Sequence, residues 1–575
     1  MKKIISILLA VIIVFSSISV VAFATEETDD LKIAIASDLH YNVPDEELEG
    51  NPDQPFEIDD PIYWYASRRA AMDNESGFII DEFLRQCAED DSIEYVLIPG
   101  DLADNGRIVL QEHLDVAAKF RAFEESTGKS VFVINGNHDA SLNNDDTTFE
   151  DFMTIYADFG YDKATDTLAG TCSYTADLGD KYRLIALDSC HANYSTEDGM
   201  TSEKINWVCD MAKKATKEGR YPILMMHHNL IDHLPMQRIV SRNFIVRNHL
   251  VTADKFANAG IKVVFSGHEH CSDAAVQISS LGNKIYDFAT TALSMYPLQY
   301  RVFAFNDQEI KYETRTVDAI DTDALTSTIA GYSEEQISLM NEGLNAYAKG
   351  FLKVGVQYRL SLSLSMEKMG IEEDAIYYGL VKTVMDKLTS ALETPFYGEG
   401  GIAQQMAKYG ITIPESDYVN GWDLATDLVA DHYAGDEHYS VYGDEVAILL
   451  RTVAFVLREE LGLLSGDALT ASADALVADN GLTSFKPELK KIGESVFGTG
   501  ITPLEYFVVS LISPLLHKFA NDDDGVNDNY GVLEGYGTVT SKTKFENVIE
   551  NIRSFFERIA FYAEMMFSIF AKIWQ

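Results

Sequence analysis

Five short polar blocks, each just behind a run of aliphatic and β-branched residues, constrain this chain more than any other feature. The runs lie at residues 31–36, 95–98, 131–134, 183–187, 223–226 and 261–265, separated by amphipathic stretches such as 78–87, 110–123 and 202–215. Their length and their Ile and Val content predict buried strands of an α/β domain. Behind five of them stand Asp38-Leu39-His40, Gly100-Asp101, Gly136-Asn137-His138-Asp139, His227-His228 and Gly267-His268-Glu269-His270. Open α/β sheets bind ligands beyond the carboxyl ends of their strands, so blocks far apart in sequence are expected on one rim. Oxygen and imidazole donors without a thiolate suit two divalent metal ions of the Mn, Fe or Zn kind, with a shared carboxylate between them.

The residue types sort themselves by geometry. A Gly-Asp pair lets the backbone turn sharply behind a buried strand, which suits Asp101 to the bridging position. Asp38 and His40, two apart on an extended segment, can grip one ion, and His268 and His270 repeat that device. Asn137 offers a neutral carbonyl oxygen and His227 a further imidazole. Asp-x-His and Gly-Asp arise often by chance, whereas Gly-Asn-His-Asp and Gly-His-x-His are more specific. It is the order and strand-end placement of all five that argues against coincidence.

With these blocks, residues 31–317 resemble the calcineurin-like metallophosphoesterase superfamily. The resemblance implies an α/β fold of four layers, αββα, with two mixed sheets packed together and helices outside. It also implies that Asp38, His40, Asp101 and His270 hold one metal, while Asp101, Asn137, His227 and His268 hold the other. His228, next to His227, could exchange roles with it; the superfamily pattern favours the first of the pair. Two metals ~3.5–4 Å apart lower the pKa of a bridging water, and the hydroxide so formed attacks a phosphoester in line. His138 is the expected proton donor to the leaving alkoxide. The pattern Gly-Asp-x-x-Asp offers the Asp104 carboxylate to fix its tautomer, and Asp139 is expected to support the loop.

Position 104 narrows the resemblance. Purple acid phosphatases carry a tyrosine there and the repair-nuclease branch a histidine. Phosphoprotein phosphatases follow the aspartate with a phosphate-clamping arginine, where this chain has Asn105. What remains is similar to the bacterial cyclic-nucleotide phosphodiesterase branch, through residues 100–106, 227–233 and Ser294-Met295-Tyr296-Pro297. That likeness implies hydrolysis of a phosphodiester, with a 3′,5′-cyclic nucleotide as one candidate, and places His233 and Tyr296 near substrate. Two other readings stand beside it: a broad extracellular phosphomonoesterase, and an envelope-binding protein with a residual metal site.

The remaining features set the context. At 575 residues, two or more domains are expected. Further strand-like runs at 284–288, 300–305 and 309–316 complete the first domain, and from 322 to 575 helical spacing predominates. A Gly-rich stretch at 397–401 and an acidic loop at 521–536 interrupt that helical domain. The apolar spacing of 545–574 predicts an amphipathic helix that either packs on its own domain or contacts a membrane or envelope surface. A net charge of −45 repels polyanions, so no nucleic acid polymer is expected as a partner. The small phosphoester is the expected partner, and nothing in the sequence fixes an oligomeric state. Lys2-Lys3, an apolar run from Ile4 and Ala22-Phe23-Ala24 have the layout of a secretory signal over residues 1–24. The alternative is an uncleaved anchor, since the apolar stretch approaches the ~20 residues that span a bilayer. Five cysteines are too few for a disulfide scaffold, and most are expected as buried thiols; Cys271, beside the last histidine block, is either a sulfur near the site or, the favoured reading, a small packing residue. The acid-, Pro- and Tyr-rich insertion between His40 and Phe78 is either a lid or a solvated loop.

Overall fold

The structure, a computed structural model, describes residues 31–44, 70–142, 147–193, 197–233, 237, 242–363, 378–407, 412–439, 444–445, 447–449, 451–452 and 525–537. The signal-like segment, most of the insertion and the terminal segment 545–574 lie outside the described residues. The strands are β1 (Leu31–Ile35), β2 (Tyr95–Ile98), β3 (Ser130–Val133), β4 (Ala164–Thr167), β5 (Tyr174–Leu178), β6 (Tyr182–Leu187) and β7 (Tyr221–Met226). They continue with β8 (Val263–Ser266), β9 (Asp273–Ile278), β10 (Lys284–Ala289), β11 (Gln299–Phe305), β12 (Glu309–Thr316) and β13 (Tyr530–Glu534). The helices that bear on the argument are α1 (Ser76–Glu89), α2 (Leu110–Thr127), α3 (Phe149–Ile155), α4 (Ser202–Lys217), α5 (His249–Ala259), α6 (Thr322–Thr328) and α7 (Glu334–Glu342). After them come α8 (Leu344–Ser363), α9 (Tyr378–Glu393), α10 (Ile402–Met406) and α11 (Gly421–Ala434).

Two mixed sheets result, ordered β13-β12-β11-β1-β2-β3 and β4-β5-β6-β7-β8-β10-β9. The parallel strands β6, β7, β8 and β10 form the middle of the second sheet, while β1, β2 and β3 run together along one side of the first, with β3 last in its order. Their near-continuous apolar sequences follow from burial on both faces. In β7, Ile223 and Met225 enter the core between the sheets, whereas Leu224 and Met226 face the cluster built with Val208, Ala212 and Phe256 of α4 and α5. Leu184 and Ala186 against Ile185 and Leu187 repeat the alternation in β6. Between the sheets Phe303 of β11 meets Phe265 and Phe288 of the other sheet, each at 4.8 Å between ring centroids. With α1 and α2 against the first sheet and α4 and α5 against the second, the layers are αββα, as expected.

α4 shows why such helices form where they do. Thr201 caps its N-terminus by accepting from the Lys204 N–H, Lys214 and Lys217 stand in its last turn, and Val208, Cys209, Ala212 and Ala215 make one buried face.

The region after residue 322 is mainly helical in its described part, yet it differs from the expectation at one place. Residues 530–534, inside what reads as an acidic loop, form β13 and pair antiparallel with β12, Leu533 opposite Ile310. The Asp-rich flank hides a Tyr-Gly-Val-Leu run that is strand-like by itself. α8 also contributes Leu344, Ala348, Phe351 and Leu352 to the main core, while α10 and α11 carry a separate apolar cluster around Phe396, Ile402, Met406, Leu424 and Leu428. Lys349 and Lys353 of α8 pair with Asp427 and Asp423 of α11, each at 2.7 Å. All five cysteines are buried free thiols. Among the described residues no helix is long and apolar enough to cross a membrane.

Truncating the Phe303 ring should leave a cavity between the sheets. Phe303→Ala is expected to cost about 3–5 kcal/mol of stability, read as a lowered urea midpoint, with the metal content of the folded protein unchanged.

Candidate metal centre

The loops after β1 and β2 lie side by side, with the Asp38 N–H on Gly100 O (3.1 Å) and the His40 N–H on Asp101 O (3.0 Å). The loops after β7 and β8 are joined by Gly267 N–H on His227 O (3.0 Å). Across the gap between the sheets the His268 N–H donates to the Asp38 carboxylate at 2.9 Å, and His227 Nε2 lies 3.2 Å from Asp101 Oδ2. With the His138 N–H on Asp101 Oδ1 at 2.8 Å, all five blocks reach one rim.

Three overlapping sets of donor atoms converge there, each within 4.8 Å: Asp38, His40 and His270; Asp101, His227 and His268; and His40, Asp101 and His138. Asn137 joins the second through Oδ1, 3.0 Å from His227 Nε2. His228 is in none of them; its Nδ1 meets Ser189 Oγ at 2.9 Å, so the first histidine of the pair is the one turned inward. Cys271 is buried and likewise outside these sets.

The donor chemistry fits cations. His227 Nδ1 faces the Pro99 carbonyl at 3.0 Å and can only donate to it, which leaves the Nε2 lone pair facing the oxygens of Asp101 and Asn137. His40 Nε2 and His270 Nε2 stand 3.2 Å apart and both point at Asp38 Oδ1, 3.9 and 3.4 Å away. Lone pairs and carboxylates this close repel unless a positive species lies among them. The titration tendencies agree. Burial pushes the Asp38 carboxyl up, but the His270 bond and the His227 and His270 charges outweigh it and hold it at about 2. Asp101 is likewise held well below its ordinary value, burial being outweighed by His227 and His138. Burial lowers His227, yet Asp101 brings it up to about 9, while burial and the His227 charge drive His268 down to about 3. The site is thus built to hold positive charge beside two ionised carboxylates.

The backbone is bent to achieve this. Of the eight non-glycine residues with positive φ among those described, five are Asp38, His40, Asp101, His268 and His270. Such conformations cost about 1–3 kcal/mol each and persist only where the surroundings over-determine them. The block glycines make room: a Cβ on Gly136 would lie 2.1 Å from Asp101 Oδ1, and one on Gly267 would lie 2.2 Å from Asp38 Oδ2.

Around the donors stand the other residues singled out in the sequence. Asp139 supports its loop as expected, accepting from the N–H groups of Leu102 (2.9 Å), Ala103 (3.2 Å) and Gly136 (2.7 Å). His138 stands beside the donors, its N–H on Asp101 Oδ1 at 2.8 Å and its ring edge-on to His40. Its Nδ1, however, donates to the backbone carbonyl of Asp104 at 2.7 Å and not to that carboxylate. The Asp104 N–H bonds Tyr41 O, which draws the residue alongside the His40 segment, and Asp104 Oδ1 lies 3.2 Å from His40 Nδ1. The two atoms are at ion-pair distance without hydrogen-bond alignment, so the carboxylate faces the far side of the His40 ring. His233 is fully buried between Asp273 (2.7 Å) and Asp287 (3.3 Å), a packing role that leaves no face for substrate. Tyr296 is buried, with Lys349 Nζ 5.7 Å from its ring centroid. Reading the sequence missed the carbonyls of Pro99 and Asn243, the latter 3.3 Å from His268 Nε2, because a backbone acceptor leaves no mark in residue identity.

Residues 31–272 match the family model described as calcineurin-like phosphoesterase. Among solved structures the chain is similar to a dimetal phosphatase from Danio rerio, at 11% identity, covering 50% of this chain and 96% of that one with a TM-score of 0.36. It is also similar to phosphopantetheinyl hydrolase from Mycobacterium tuberculosis, at 12% identity, covering 46% and 90% with a TM-score of 0.23. No curated protein matches the sequence.

A methyl group at position 267 would collide with Ser37 Oγ and Asp38 Oδ2. Gly267→Ala is therefore expected to lose about one metal ion per chain, measured by elemental mass spectrometry on the folded protein; full occupancy would refute the steric account.

Proposed function

We propose that this chain, which carries a calcineurin-like phosphoesterase domain over residues 31–272, is an exported phosphodiesterase with a 3′,5′-cyclic nucleotide among its candidate substrates. The observation that supports a diester is the use made of Asn105. Its N–H donates to Glu112 Oε2 at 2.6 Å and its side-chain amide to Asp104 and Glu112, so it anchors a turn and offers no cationic fork. Among the described residues the groups paired with Asp38 and Asp101 are histidines, not Lys or Arg. A monoester dianion is usually met by a bidentate arginine; a diester carries one charge and needs no such clamp.

When bound, a divalent metal pair supplies Lewis acidity and a nucleophile drawn from water. The rest falls to the chain. Asp38, His40 and His270 on one side, and Asn137, His227 and His268 on the other, flank Asp101 and fix where phosphorus must sit. His138 is held by two bonds, one through its backbone N–H and one through Nδ1–H, so in the protonated ring Nε2–H is the group that passes a proton to the leaving alkoxide, leaving the neutral imidazole.

Initial rates on bis-p-nitrophenyl phosphate and p-nitrophenyl phosphate, for the wild type and His138→Ala, test both parts. The diester should be cleaved faster, and the variant should retain its metals while losing about a hundredfold or more in kcat. A faster monoester rate would turn the reading to a phosphomonoesterase, and an unaffected variant would remove His138 from the chemistry. Export rests on the sequence of residues 1–24. Protein recovered outside the cytoplasm should begin at Thr25 by N-terminal sequencing; retention of the whole chain in the cytoplasm would refute it.

A further inference from the structure

The loop that bears His268 and His270 is fastened from behind by the C-terminal part of the chain. Two residues beyond His270, the Ser272 N–H donates to the Tyr433 carbonyl near the end of α11 at 3.0 Å. The Ser272 hydroxyl meets Asn529 Oδ1 at 3.3 Å and accepts from Arg301 Nη2 at 2.8 Å. Asn529 in turn donates through Nδ2 to the carbonyls of Ala434 (2.9 Å) and Gly435 (2.8 Å), while the Thr314 N–H of β12 donates to the Asn529 carbonyl at 2.7 Å. Next to it, Asp528 Oδ1 accepts from the Ala274 N–H at 2.8 Å, and the Asp528 carbonyl accepts from buried Arg301. Gly435, at φ +60°, closes the junction: a Cβ there would lie 2.5 Å from Ser272 O and 2.6 Å from Asp528 Cβ. Three segments, 272–274, 433–435 and 527–529, thus meet at Asn529.

This junction lies where the ligand loop needs it. His268 and His270 both hold left-handed backbone conformations that relax unless pinned. The Asp38 carboxylate pins the loop at the His268 N–H. Beyond His270, the Ser272 backbone and hydroxyl bonds to α11, Asn529 and Arg301 pin it again. We propose that Asn529 and Ser272 are positioning residues of the metal centre: the C-terminal segment sets where His270 stands, and so how tightly the position formed by Asp38, His40 and His270 holds its ion. The inference rests on the reading of those three residues as metal ligands. On this view the region after residue 322 is a working part of the phosphoesterase site.

The test uses the full-length chain, stripped of metal and titrated with Mn²⁺ by calorimetry, so that turnover is not the readout. The wild type should bind two ions. Asn529→Ala should weaken one of them about 10–100-fold, the range for loss of an outer partner of a ligand, and leave the other nearly unchanged. Lys353→Ala, which removes an ion pair between α8 and α11 away from the loop, should leave both affinities alone. Wild-type affinities in Asn529→Ala, or an equal loss in Lys353→Ala, would overturn the proposal. Should Asn529→Ala fail to fold, Ser272→Ala, which removes only the hydroxyl contacts, carries the same expectation at smaller size and is refuted by an unchanged titration. A wild-type chain that binds fewer than two ions would instead sink the metal-centre reading beneath it.

Discussion

Two carboxylates buried side by side are the constraint on which the rest depends. Asp38 and Asp101 are both almost wholly withdrawn from water, and an ionised carboxylate in such a place is tolerated only beside positive charge. Imidazoles turned so that their lone pairs face the same points do not supply that charge when neutral. They concentrate the demand for it. In the bare protein a proton on His227 meets part of that demand and a cation would take its place, which marks a binding site rather than packing.

The fold meets this demand by bringing the carboxyl ends of two sheets together. Each sheet delivers rigid parallel strands whose next residues turn in left-handed conformations, and the glycines at 136 and 267 let backbone approach carboxylate without a Cβ between them. The inter-sheet core of Phe265, Phe288 and Phe303 packs the two halves together below the rim. Rigidity below and strain above are complementary, since bent ligand loops keep their shape only on a scaffold that does not yield.

Much of this was legible in the sequence because burial on both faces forces a continuous apolar run, and a polar block behind such a run has few explanations. The parallel strands and the residues that converge could be read that way, whereas the layer order followed only from the family resemblance. Strands β4 and β9 could not. β4 is Ala-Thr-Asp-Thr at a sheet edge, and β9 begins with a buried Asp273, so neither has the apolar run that signals a strand. β13 was masked by the acidic residues before it. Asp104 shows another limit: the residue was found, but a turn bonded to Tyr41 decided that its carboxylate would meet His40 while its carbonyl met His138. Residue identity names the donors available, and backbone path decides which atom of each is used.

The placement of β13 has a consequence for how the molecule is made. β12 is complete at Thr316, yet the strand that covers its outer edge begins at Tyr530. At a synthesis rate of about 5–20 residues per second, the ribosome leaves that edge bare for roughly ten to forty seconds. Throughout that interval the nascent chain carries an unpaired ladder of N–H and C=O groups, open to any passing strand. The exposed side chains of Lys311 and Glu313 along it are the kind of charge that discourages such pairing until the proper partner emerges.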